Sequence, residues 1–337
     1  MLKIHSQNSS KKLPLTLACG QYEITRPLIE GIVKPEGIDL TVVSEMDSTT
    51  RQWRFLRNRE FDVSETSSGN HIVSVGQGGP FTALPVFLHR RFRHGFIFIN
   101  TGKGIKTPKD LIGKRIGVKT FMVTAIAWSR GILEEEYGVR REDVEWVVEL
   151  DEDVAFDPPK NLKLTRLPPD SPSVETLLAN GEVDAVMHPD LIQPLLDKDP
   201  RVGRLFPDYK TEELAYYAKT KIFPIMHVMG LRHELVEAHP WVPMSLFNAF
   251  NEAKAIAMQR MANPLVAPLA WYEEQWEEQQ NILGPDPWEY GLTAANRHNF
   301  GKLVEYAHKD GVIAQALPVD DFFTPVTDGV VQDKKRA

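Results

Sequence analysis

Between Leu13 and Met187 the chain alternates short apolar runs with amphipathic stretches, and this alternation limits the fold more than any other feature. Leu13–Cys19, Ile38–Ser44 and Phe61–Ser64 read as strands, separated by helices over Thr25–Val33 and Ser48–Arg59. His71–Gly76 reads as a helix, and Thr82–Leu88 and Phe96–Asn100 as further strands. A second series begins at Thr107-Pro108-Lys109-Asp110-Leu111, which has Pro in the first turn with Asp behind it, a helix-start pattern. The strand Arg115–Val118, a helix over Thr120–Gly138 and the strand Val144–Leu150 follow. Asp157–Pro172 is rich in Pro and charge and reads as a loop holding a short strand, Leu162–Leu167. The helix Ser173–Asn180, stopped by Gly181, leads to the strand Val183–Met187. Strands joined through helices must cross over and lie parallel, so an α/β fold with mainly parallel sheet is expected.

Ile222–Leu231 is one more extended segment. The C-terminal third is read as helical over Arg232–Ala238, Pro243–Met261, Leu265–Glu278 and Thr293–Asp310. Trp271, Trp276 and Trp288 in this region read as packing residues rather than as a stacking platform. The 337 residues suffice for two domains of ordinary size. A formal net charge of −7 argues against non-specific nucleic-acid binding. A single cysteine, Cys19, excludes an internal disulfide framework and a Cys-rich zinc site. No run of eighteen apolar residues exists, so no membrane span is expected. Met1–Lys12 is polar, without the apolar core of a secretory leader, and a cytoplasmic location is expected.

His89-Arg90-Arg91-Phe92-Arg93-His94 is wedged between the two apolar runs Leu84–Leu88 and Phe96–Ile99. A guanidinium presents a planar fork of donors that matches a carboxylate at two points. Three of them on a rigid frame suggest a site for a small anion with more than one carboxylate; the plain alternative is a solvated basic turn. Alternate side chains of a strand share a face, so Arg91 and Arg93 are expected together, with Arg90 opposite beside Phe92 and His94. Nothing matches a nucleotide-binding glycine loop, a Walker loop, a His-Glu-x-x-His metal site or a Gly-x-Ser-x-Gly elbow. No cofactor is therefore expected, with a divalent ion held jointly by His, Glu and a substrate carboxylate left open.

Ile105–Val118, with its Asp110-Leu111-Ile112-Gly113-Lys114-Arg115-Ile116-Gly117-Val118 core, resembles a recurrent element of type 2 periplasmic-binding-protein folds. So does Val174–Val186, with Gly181-Glu182-Val183-Asp184-Ala185, and Phe61–Ser67 looks like its counterpart in the first lobe. Three further stretches narrow the match. Leu84–His94, Pro224-Ile225-Met226-His227-Val228-Met229 and Asp286-Pro287-Trp288-Glu289-Tyr290-Gly291 resemble the 4,5-dihydroxyphthalate decarboxylase family, over about Leu15 to Phe323. The resemblance implies two α/β lobes joined by two crossover strands, with the ligand in the cleft. Residues 13–102 and 226–337 are expected to form the first lobe and 103–225 the second. Relatives on this scaffold that serve pyrimidine synthesis carry a Cys-rich iron motif, which a chain with one cysteine lacks.

The implied chemistry is decarboxylation of a hydroxylated aromatic acid: the ring is protonated at the carboxylate-bearing carbon and CO2 departs. Such a site needs a clamp for the remaining carboxylate and a proton donor. Arg91 and Arg93 are the expected clamp, with Arg90 and His89 beside them. His227 at the second crossover, His188 just after a strand and Glu65 just after another are the candidates for the proton-transfer group. The bland readings are a hydrogen-bonded core histidine for His227, a capping residue before Pro189 for His188 and an arginine's acceptor for Glu65. Lys119, Thr120, Phe121 and Thr124 open a long helix whose free N–H groups make an anion site; Gln21 and Tyr22 stand at the matching place in the first lobe. The rival reading is a solute-binding protein for a small carboxylate. The partner is then a small aromatic carboxylate in either case, with a homo-oligomer left open.

Overall fold

The computed structural model describes residues 12–326. The polar segment Met1–Lys11, part of the leader reading, lies outside the described residues. Among the described residues eleven strands form two sheets. The first contains β1 (Leu13–Ala18), β2 (Ile38–Val43), β3 (Val63–Ser67), β4 (Phe81–Leu84) and β11 (His227–Arg232), in the order β2-β1-β3-β11-β4. The second contains β5 (Ile97–Asn100), β6 (Arg115–Val118), β7 (Glu145–Val148), β8 (Lys163–Arg166), β9 (Ala185–Met187) and β10 (Val202–Arg204), in the order β10-β5-β9-β6-β7-β8. The strands that follow helices run parallel: β1 with β2 and β3, and β6 with β7 and β9. The strands that carry the chain from one sheet to the other are the antiparallel ones: β11 pairs antiparallel with β3 and β4, and β5 with β9 and β10. This is the two-lobed α/β fold with two crossovers.

Ile97–Asn100 belongs to the second sheet. The first crossover is thus residues 85–96, and the boundary falls there rather than after residue 102 as expected. The strand expected to reach Leu88 stops at Leu84, because Pro85 has no N–H to give to a ladder and Val86 N turns back onto Leu84 O at 2.8 Å. The basic cluster therefore lies on an irregular segment, not a strand. The second crossover, 221–226, runs antiparallel beside it: Arg90 bridges Ile225, Arg91 N donates to Pro224 O at 3.1 Å and Met226 N to His89 O at 2.9 Å. The helix Tyr209–Thr220, which leads into this crossover, was not anticipated from the pattern, although Asp208 caps it by accepting from Thr211 N. Its apolar residues are too few to show a stripe.

The C-terminal helices bind both lobes. Val242–Met261 lays Leu246, Phe250, Ala253 and Ala257 on Leu15, Leu17 and Leu231 of the first sheet. Ala294–Lys309 packs on the first-lobe helix Ser68–Gly76 and the second-lobe helix Thr124–Tyr137. Gly131 permits this approach, since a Cβ there would lie 2.1 Å from the Tyr306 ring. One apolar core consequently includes Ile72 and Phe87, Ile126 and Trp128, and Phe300 and Phe322. The expected helix over Leu265–Glu278 is instead a short turn, Pro264–Val266, a break at Pro268 and a helix from Tyr272 to Leu283.

Candidate active site

Register brings the site together. Glu65 lies in the middle of β3, where every residue is buried, rather than just after the strand as expected. It pairs with Met229 of β11, and Ser67 pairs with His227. Glu65 and His227 are therefore diagonal neighbours on one face of an antiparallel pair, within side-chain reach. His227 Nδ1 and Glu65 Oε1 are 2.6 Å apart. The same oxygen accepts from Tyr22 OH at 2.8 Å. Glu65 Oε2 accepts from Gly20 N at 2.8 Å and faces Arg51 Nη2 at 2.9 Å. Arg51 comes from the inner face of the helix Ser48–Leu56, whose start is capped by Asp47 accepting from Thr50 N.

Four donors thus saturate one carboxylate that is 0% exposed. Burial pushes the Glu65 carboxyl up, but the Arg51 charge, His227 and the Gly20 N–H outweigh it, and the group stays well below the ordinary carboxylate range. Glu65 is thus placed as an arginine's acceptor, the bland alternative, and its lowered pKa does not suit a proton donor. An ionised carboxylate accepts only, so Nδ1 of His227 carries the proton and Nε2 is the atom that can take up or release one. The ring makes no other hydrogen bond among the described residues. Burial against Glu65 pushes the Tyr22 phenol above its ordinary range, so it remains a donor.

His227, Tyr22, His89, Arg90 and Arg91 all line one cavity of about 700 Å³ between the lobes. His89 meets the His227 ring edge-on, with centroids 4.8 Å apart. Burial, followed by the charges of His227 and Arg91, pushes His89 down to about 2, so it is neutral. Arg91 donates through Nη1 to Asp190 Oδ1 at 3.1 Å across the cleft mouth and lies over the Phe96 ring. Ser48, Thr49 and Gln52 line the first-lobe side, and Val123, Pro189 and Asp190 the second.

The other sequence candidates fall elsewhere. Arg93 does not share the cavity with Arg91: it is 1% exposed and donates to the carbonyls of His188 at 2.5 Å and Pro189 at 3.2 Å. The irregular backbone removes the strand parity on which the pairing rested. Arg90 reaches the cavity wall, but its guanidinium is engaged by Asn296 Oδ1 at 2.5 Å and by the carbonyls of Phe223 and Glu289, tying both crossovers to the C-terminal region. Burial pushes it down to about 10, which leaves it charged. His188 is turned into the second lobe, with Nδ1 against the backbone of Asp190 and Nε2 3.4 Å from Glu175. It does not line the cavity.

The helix begins at Thr124 rather than Thr120, and the free amides of the turn before it are taken by a carboxylate of the chain itself. Glu152 accepts from Phe121 N at 2.6 Å and Met122 N at 3.1 Å. Thr124 is buried and its hydroxyl lies 2.7 Å from Ser67 Oγ, joining the two lobes. Phe121 is core, stacked under the Arg130 guanidinium. Lys119 and Thr120 are half-buried beside this turn and do not line the cavity. Gln21 is exposed and donates to Glu45.

Sequence reasoning missed Arg51, Gln52 and the C-terminal wall of the cavity. Trp276 and Trp288 line it, and Trp271 is 70% exposed, so none of the three is simply a packing residue. The Asp286–Gly291 stretch did single out Trp288; nothing local marks Arg51, whose role depends on a partner fourteen residues away on another element. Among the described residues no group of three or more His, Cys, Asp or Glu side chains is arranged to hold a metal ion.

The fold and cleft define a type 2 periplasmic-binding-protein-like scaffold. Solved structures agree: the alkanesulfonate-binding protein from Xanthomonas axonopodis pv. citri matches with a TM-score of 0.52 at 13% identity, covering 94% of this chain and 99% of that one. A desulfurization enzyme matches with a TM-score of 0.52 at 14% identity, covering 96% and 99%. The family model described as NMT1/THI5 like matches residues 31–155. The 4,5-dihydroxyphthalate decarboxylase of Comamonas testosteroni is 35% identical over 325 residues, 94% of this chain and 98% of its own length. That of Pseudomonas putida is 36% identical over 203 residues, 58% of this chain and 78% of its own. The chain belongs to the 4,5-dihydroxyphthalate decarboxylase family and, with it, to the carboxy-lyases.

Proposed function

We propose that this protein decarboxylates a 4,5-dihydroxyphthalate-like acid in the interlobe cavity, with His227 as the proton donor. The observation that carries the reading is the 2.6 Å contact between His227 and a buried, ionised Glu65 at the cavity wall. In such a substrate each carboxylate lies para to a hydroxyl. Electron density from that hydroxyl makes the carboxylate-bearing carbon basic. Nε2 of the imidazolium delivers a proton to this carbon, the bond to the carboxyl carbon breaks, its electrons restore the aromatic ring, and CO2 leaves. One proton enters the ring for each CO2 released.

Glu65 fixes the tautomer and orientation of His227 and stabilises its cationic form, as a carboxylate does for an imidazole base in general. His89, held neutral, accepts a hydrogen bond from a ring hydroxyl. Arg91 keeps free donors beyond its bond to Asp190 and clamps the carboxylate that stays on the ring. The steps are proton transfers and a heterolytic bond cleavage, and they are proposed to need no added cofactor; full activity after exhaustive dialysis against EDTA supports this, and loss restored by a divalent ion contradicts it. The test of the activity is incubation with 4,5-dihydroxyphthalate in D2O, followed by NMR. The proposed reaction yields 3,4-dihydroxybenzoate with deuterium at the vacated carbon. Tight binding of the intact acid without CO2 release would instead identify a solute-binding protein.

A further inference from the structure

The cavity has two unlike walls. The crossovers and the helix Ser48–Leu56 supply His89, Arg91, His227 and Gln52. The C-terminal region supplies Met258, Met261, Leu269, Tyr272, Trp276 and Trp288, with two amides, Gln275 and Gln279, and no charged side chain. In a chain that is 25% charged, a wall of this size without a single charge is a chemical statement about what lies against it. Tyr272 and Trp276 are stacked, with 14° between the rings and 6.2 Å between centroids, and form an aromatic pair on this wall. The helix that carries them, Tyr272–Leu283, contains no buried residue, and both rings are half-buried where they line the cavity. Methionine side chains beside them adapt to irregular apolar shapes.

A single-ring dihydroxy diacid has about fourteen non-hydrogen atoms, whereas cavities of roughly 300–1,000 Å³ enclose drug-sized ligands. At about 700 Å³ this cavity is of the second kind. The polar groups of a single-ring diacid would be met by the charged wall alone, leaving the aromatic wall without a function. We infer that the acid bound here carries a ring-sized apolar group that lies on the Tyr272–Trp276 surface. The substrate is then a hydroxylated aromatic diacid with a second ring or a hydrocarbon group of similar size. This rests on the cleft being the acid site proposed above.

Binding is the readout, so that turnover does not enter. Calorimetry with phthalate and with 3-phenylphthalate, neither of which has the hydroxyl needed for reaction, measures the contribution of the extra ring. At least tenfold tighter binding of 3-phenylphthalate is expected, and Trp276→Ala should collapse that preference toward one. Met261→Ala should reduce it, and Trp271→Ala, at an exposed position outside the cavity, serves as the folding control. Equal or weaker binding of the phenyl compound overturns the inference, as does a preference that survives Trp276→Ala; either shows a helix that closes over a single ring. Failure of both acids to bind overturns the acid site itself and the inference with it.

Discussion

His227, Glu65 and Arg51 form one buried chain of charged contacts, and changes at its two ends should differ in signature. His227→Asn removes the ring nitrogen proposed to deliver the proton and should lower kcat by about 10²–10⁴-fold with little change in binding, the usual worth of a positioned acid. Arg51→Gln leaves Glu65 buried with its main cationic partner gone, so both activity and fold should suffer, with a loss of roughly 3–5 kcal/mol in chemical denaturation. At His94 the opposite sign is expected. It is 1% exposed among the rings of Tyr137, Phe206 and Tyr216, and neither ring nitrogen has a partner among the described residues. Orphaned buried polar atoms cost about 1–3 kcal/mol, so His94→Phe should raise the urea midpoint rather than lower it. His227 was legible as a candidate because it lies in an extended apolar segment at a crossover, and Glu65 because it follows the strand read over Phe61–Ser64. Their pairing was not, since it depends on β3 and β11 meeting across 162 residues.

The first crossover shows how an element redistributes a motif. Six residues that read as one basic patch are sent three ways: Arg91 to the cavity mouth, Arg90 to the C-terminal region, and Arg93 into the second lobe. Pro85 ends the strand, and with it the alternation on which the pairing of Arg91 with Arg93 relied. The two arginines should therefore separate by experiment. Arg91→Ala should weaken the substrate interaction by roughly 1.5–3 kcal/mol, about ten- to a hundred-fold in KM, with the melting temperature nearly unchanged. Arg93→Met should do the reverse, lowering the melting temperature through the loss of its bonds to the 188 and 189 carbonyls while KM holds. The strand and helix series was legible because period and punctuation are local. The expected anion site at the start of the Thr120–Gly138 helix was not legible: the helix begins at Thr124, and the amides of Phe121 and Met122 before it are taken by Glu152, a carboxylate that only the folded chain brings to them.

At the scale of the whole molecule, the lobes are bound into a single body. The Ala294–Lys309 helix spans both, and at its end Asp310 pairs with Arg130 and Arg141, all at most 5% exposed. Asp310→Asn should destabilise both lobes together, by about 3–5 kcal/mol, in one cooperative transition. Acid should act on the same body. Burial pushes His71 and His94 down to about 4 from 6.5 and His89 to about 2. Their folded pKa values lie below the unfolded ones, so the folded state binds fewer protons. Protons then bind preferentially to the unfolded chain, so stability is unaffected by these groups above pH 6.5 and falls as the pH drops toward 4; a urea midpoint that declines over that range, and declines less in His94→Phe, is expected. Within this body His227 is the proposed donor of the proton that replaces CO2. The most direct test is single-turnover CO2 release from 4,5-dihydroxyphthalate by the wild type and by His227→Asn, both saturated with substrate. The wild type should release one CO2 per ring protonated, and His227→Asn should bind the acid but release CO2 about 10²–10⁴-fold more slowly. Release at an equal rate by the two proteins would contradict the assignment.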